Sequence, residues 1–114
     1  MKTPPERRAA VDRYRAKHPE RVKVAARKSR LKAMYGMTLD EYNKMVAAQG
    51  GGCAICGCTE SENGAILAVD HDHATGKVRG ILCRLCNNGL GHFRDTERLL
   101  LRALAYLKEH RHDE

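Results

Sequence analysis

A chain of 114 residues with 4% aromatic side chains and a mean hydropathy of −0.58 has too little apolar material for a large self-sufficient core, so a structural metal is a plausible staple. Its formal charge of +7 is unevenly placed: residues 1–34 carry twelve Lys or Arg against three acids, and residues 35–114 carry nine against eleven. No run reaches the roughly 18 apolar residues of a membrane span and nothing near Met1 has the form of a signal peptide, so the expectation is a cytoplasmic protein without a membrane partner.

Pro4 and Pro5 open a first helix, expected from Pro5 to about Lys17 and broken at His18-Pro19 because the residue before proline avoids the helical region. A second helix is expected from Pro19 to a stop at Gly36. Val22, Ala25 and Ala26 give it only a thin apolar stripe. Arg21, Lys23, Arg27, Lys28, Arg30 and Lys32 cover the other faces, a pattern best neutralised by phosphates. Residues 1–34 are therefore expected to be a basic helical DNA-binding arm, and residues 35–114 the functional domain.

Thr38-Leu39-Asp40-Glu41 fits a capping box that opens a third helix to about Gln49, with Leu39, Tyr42, Met45 and Val46 as a packing stripe. Gly50, Gly51 and Gly52 then let the chain turn into Cys53. Thr59–Gly64 reads as a polar loop. Ile66–Asp70 and Val78–Leu82 read as strands of a hairpin turned at Ala74-Thr75-Gly76, and Gly80 marks a bulge or a close backbone approach. A short helix over Leu85–Leu90 follows Cys83. Asp95 is expected to cap a last helix to about Glu109, whose Leu100, Ala103, Leu104 and Leu107 face a core or a dimer seam. His18, His110 and His112 are expected on the surface.

Two Cys-x-x-Cys pairs, Cys53/Cys56 and Cys83/Cys86, supply the four sulfurs of a closed tetrahedral site, and inside a reducing cell they point to one structural Zn²⁺ per chain rather than disulfides. The 26 residues between the pairs exceed the roughly 15–20 of a simple zinc ribbon, so the hairpin is an insert between the knuckles. Cys58 is left over, as a free thiol or an exchangeable ligand. The insert carries Asp70-His71-Asp72-His73, and Asn87 follows the last ligand directly. Carboxylate and amide oxygens suit Mg²⁺ or Mn²⁺, and a near-neutral imidazole suits a general base. Phosphodiester hydrolysis needs both.

Cys53-x-x-Cys56, Val69-Asp70-His71-Asp72-His73, Thr75-Gly76-Lys77-Val78-Arg79-Gly80-Ile81-Leu82-Cys83 and Cys86-Asn87 resemble the phage recombination endonuclease VII family, a branch of the HNH or ββα-metal nucleases, over about residues 35–94. The resemblance implies a small, helix-rich α+β fold: a ββα-metal finger stapled by a four-cysteine zinc site, between basic N-terminal helices and a C-terminal helix. It implies that Asp70 and Asn87 hold a catalytic divalent metal, that His71 is the general base and that His73 assists near the scissile phosphate. Asp70 and His71 would face opposite ways on a regular strand, so this assignment requires a bend there. Asp72 with His73 is the competing pair. Lys77 and Arg79 are candidate phosphate contacts, His92 a further candidate, and Asn88 the alternative to Asn87.

The expected function is a metal-dependent DNA endonuclease that nicks or cuts double strands, with branched DNA among its candidate substrates. The alternative is a non-catalytic zinc-stabilised DNA-binding module. Beyond DNA, the candidate partners are a second copy of the chain and phage packaging or recombination proteins, in a bacterial host cell.

Overall fold

The computed structural model describes residues 3–111, so the expectation for His112 lies outside the described residues. Among these, six helices and one two-stranded sheet make a small α+β protein. Helix α1 spans Pro4–Lys17, α2 Pro19–Tyr35, α3 Leu39–Ala48, α4 Glu60–Asn63, α5 Arg84–His92 and α6 Glu97–Glu109; strands β1 and β2 are Ala68–His71 and Val78–Leu82. The chain divides into two compact units, Met1–Lys44 and Met45–Glu114.

In the first unit, Thr3 caps α1 through a capping box with Glu6, and the prolines sit where no amide hydrogen is needed. No residue of α1 is buried. Helix α2 ends on Gly36 in the left-handed conformation at φ 63°, which satisfies the carbonyls of Leu31 and Lys32. The buried apolar residues are Leu31, Met37 and Tyr42. Arg27 is half-buried with its guanidinium 4.7 Å from the centre of the Tyr42 ring, a cation–π contact. Thr38 and Glu41 close the expected capping box at the start of α3.

The second unit is built on the hairpin. Antiparallel pairing runs Ala68↔Leu82, Val69↔Ile81 and Asp70↔Gly80, then shifts so that His71 faces Val78 and Arg79 is the extra residue. Its core is Cys53, Leu67, Val69, Ile81, Leu82 and Cys83. Gln49 closes the free edge of β2: its side-chain oxygen accepts from Ile81 N–H at 2.9 Å, and its Nε2 donates to the Ile81 and Gly52 carbonyls at 2.9 and 3.0 Å. A Cβ on Gly80 would lie 3.2 Å from Gln49 Oε1, so the glycine admits this close approach.

Three sequence expectations need correction. The Thr59–Gly64 stretch is not an open loop but holds α4, capped by Thr59 and Glu62 and ended by left-handed Gly64. Strand β1 starts at Ala68 and runs to His71, later than expected. Asp95 does not cap α6: Thr96 is the N-cap, and Asp95 lies one residue outside with φ 56°. Much of the α6 apolar face, Leu101, Leu104 and Leu107, is exposed.

Candidate metal centre and active site

Gly52 must be glycine, since a Cβ there would run into the carbonyl oxygens of Gly57 and Cys58. The knuckle then closes through Cys53 N–H on the Cys58 carbonyl and Gly57 N–H on the Cys53 carbonyl, both at 2.9 Å. The second pair stands where β2 becomes α5. Cys83 ends the strand and caps the helix, its sulfur accepting from Cys86 N–H at 3.4 Å. Asn63 anchors the same junction by accepting from Arg84 N–H at 3.0 Å.

The four sulfurs of Cys53, Cys56, Cys83 and Cys86 lie within 4.8 Å of one another, and Cys56 and Cys83 are 3.6 Å apart. A tetrahedron with metal–sulfur bonds of about 2.3 Å has edges of about 3.8 Å, so the donor set and its spacing fit a structural metal site of the zinc type. Burial pushes the Cys53 thiol up, but N–H groups of Cys83, Cys56 and Ile55 outweigh it and leave a value of about 6. The N–H of Cys86 likewise pulls the Cys83 thiol down. Thiolate is the ligand form, so backbone donors prepare these two sulfurs for a cation. Cys58 stands outside the set of four. Burial, then hydrogen bonds to Cys56 and Cys83, push its thiol up to about 12, and burial and neighbouring sulfurs push up the Cys86 thiol as well.

A cleft of about 200 Å³ opens between the hairpin and α5. Asp70, His73 and Arg79 line it from the hairpin; Asn87, Leu90 and Gly91 line it from α5; Arg94 and Asp95 close it beyond the helix. The hairpin brings Asp70 and the helix brings Asn87, which is half-buried, whereas Asn88 is exposed. His71 is half-buried with its ring 5.0 Å from that of His73 in an edge-on arrangement. The register shift falls between Asp70 and His71, with the extra residue, Arg79, on the facing strand. Asp72 Oδ1 accepts from the N–H groups of Ala74 and Thr75 at 2.8 and 3.0 Å, so this carboxylate builds the turn, and those donors hold it below its ordinary value of 3.8.

The other candidates are dispersed. Lys77 and His92 are exposed, as are Arg21, Lys23, Lys28, Arg30 and Lys32 on α2. Arg79 gives two hydrogen bonds to Asp70, at 2.7 and 3.1 Å, and two to Asp95 at the same distances. Four of its five N–H donors are therefore engaged with carboxylates rather than left for a phosphate. Asp95 is the site residue that sequence reasoning missed. The one local signal is that Asp95 and Thr96 are two cap-type residues in succession, of which a helix uses only one.

The chain is 46% identical over 84 residues to the Gene 59 protein of Mycobacterium phage D29, a match covering 71% of this chain and 49% of the relative. It is 48% identical over 82 residues to the Gene 59 protein of Mycobacterium phage L5, covering 69% and 48%. The chain thus spans about half the length of these curated relatives. No solved structure matches it. The model of the recombination endonuclease VII family matches residues 28–109, a span that holds all four clustered cysteines and the whole cleft, and the chain belongs to that family.

Proposed function

We propose that the chain is a metal-dependent DNA endonuclease of the HNH, or ββα-metal, type. The observation that carries the reading is the cleft in which Asp70 and Asn87 converge beside His73, on a hairpin and helix joined by the cysteine cluster. Family membership supports the same conclusion. A carboxylate and an amide oxygen are hard donors, which fit Mg²⁺ or Mn²⁺. Asp70 still has lone pairs to offer after Arg79, since a carboxylate carries about four acceptor sites. Asp70 and Asn87 would hold the cation. When bound, it supplies Lewis-acid stabilisation of the charge on the phosphorane and the leaving 3′ oxygen.

The chain's own residues do the rest. His71 accepts the proton of the attacking water, and His73, beside it, steadies the scissile phosphate. Asp72 is committed to the turn, which favours Asp70 over it as the metal-binding carboxylate. Zn²⁺ on Cys53, Cys56, Cys83 and Cys86 is structural, because four sulfurs leave no open position for a reactive water. Residues 1–34 serve as the arm that meets the DNA backbone through their excess of twelve basic residues over three acidic ones.

Supercoiled-plasmid cleavage tests this. The native chain should nick DNA with Mg²⁺ or Mn²⁺ and stop with chelator. His71→Ala should lower the rate by about 10²-fold or more, as loss of a general base does. Asn87→Ala should also lower it, with zinc still bound. Nicking that survives His71→Ala assigns the base to His73. Salt-sensitive DNA binding without cleavage under any metal would leave a zinc-stapled binding module.

A further inference from the structure

Asp95 has no part in the reading above, yet its placement is costly and specific. It and Arg94 are the two non-glycine residues with positive φ among the described residues, both at 56°, a region that L residues avoid. The corner is the C-terminal cap of α5, which ends at Phe93: Arg94 N–H donates to the Gly91 carbonyl at 2.9 Å and Asp95 N–H to the Leu90 carbonyl at 2.8 Å, while Thr96 is already the N-cap of α6. One rigid piece therefore carries Asn87 and Asp95. The result is that Asp95 meets the Nη1–Nη2 edge of Arg79, next to the Nε–Nη2 edge that Asp70 takes.

Arg79 reaches the same place by a second irregularity, as the extra residue of the hairpin's register shift. Its guanidinium forks between Asp70 and Asp95 with four hydrogen bonds. Side-chain exposure is 12% for Asp70 and 29% for Asp95, so the trio is partly shielded from water. A charge count gives the consequence. Asp70 with Arg79 alone sums to zero, which leaves a cation lone pairs but no net charge, and Arg94 on the same cleft makes the balance positive. Adding Asp95 gives the trio a net charge of −1, which offsets Arg94 while the fork still fixes the Asp70 carboxylate.

We propose that Asp95 is a positioning residue for the cleft's cation site, acting through Arg79 to orient Asp70 and to return its negative charge to the cleft. This rests on the nuclease reading of the cleft. A purely structural tie between hairpin and corner would leave cation affinity untouched, and the test turns on that difference.

Mn²⁺ affinity, read from the electron paramagnetic resonance signal of the free ion, is compared in zinc-loaded native, Asp95→Asn and Arg79→Ala/Asp95→Asn chains. Zinc content, melting temperature and plasmid nicking are followed alongside. Asp95→Asn keeps the shape of the side chain and should weaken Mn²⁺ binding about 10-fold, the lower end for loss of an outer partner of a metal ligand, with zinc content unchanged. The double variant leaves Asp70 unopposed and should regain most of that affinity. Its nicking should stay low even at saturating Mn²⁺, because Asp70 is no longer held. Native-like Mn²⁺ affinity in Asp95→Asn overturns the inference, as does a double variant no better than Asp95→Asn. A native chain that binds Mn²⁺ but cuts no DNA overturns the nuclease reading alone. One that binds no Mn²⁺ overturns both.

Discussion

Gly52 shows how much can rest on a missing side chain. A methyl group there would collide with two carbonyl oxygens of the first knuckle, both part of backbone that cannot swing aside. Gly52→Ala is therefore expected to cost about 1–3 kcal/mol, the range for overpacking. It should appear as a lower melting temperature and as weaker metal retention when zinc content is assayed after dialysis. At this scale the sequence was legible where chemistry is local. The three glycines announced a turn, and the cysteine spacing announced four sulfurs that the fold does gather. Asp72 was not legible, because an acid in an Asp-His-Asp-His run looks the same whether it binds a cation or two backbone amides of its own turn. Arg27 was equally opaque: nothing in its neighbours in sequence names Tyr42 as its partner.

The helix boundaries at Pro19, Gly36 and the capping box of Thr38 came through, since caps and breakers are written in adjacent residues. The same grammar was present in Thr59-Glu60-Ser61-Glu62 and marks α4, although four residues are too few for any periodicity to declare them. What the sequence could not supply is pairing between distant elements. Gln49 and Ile81 are 32 positions apart, yet their hydrogen bonds replace a strand neighbour along the edge of β2. Gln49→Leu would leave the Ile81 N–H without its partner, at about 1–3 kcal/mol, while the Ile81 carbonyl keeps the Ala54 N–H at 3.1 Å. The matching observation is loss of amide protection at Ile81 in hydrogen exchange, with the caps of α1 and α2 unaffected. Retained protection at Ile81 would show that the edge is closed by something other than Gln49.

Over the whole chain, the apolar core of the second unit is a handful of residues, two of them cysteines of the metal cluster. Stripping the metal should therefore abolish amide protection at Ile81 while Leu31, in the other unit, keeps its own. Acid should do the same. Backbone donors hold the Cys53 thiol below its ordinary value of 9.0, at about 6, so the thiolate it offers the metal is complete above 9.0 and is lost as pH falls through about 6. Bound metal must be displaced by protons as well, which moves the loss to lower pH. A colorimetric zinc-release titration checks both; release that is independent of pH would count against thiolate ligation.

Cys83 ends β2, supplies one of the four sulfurs and caps the helix that bears Asn87. In genetic terms those three duties share one codon. A serine could inherit the cap, and an alanine could inherit the strand end, but neither inherits all three. A lesion at position 83 therefore has no single second-site suppressor: a change elsewhere can restore one duty at a time, and only reversion restores the gene.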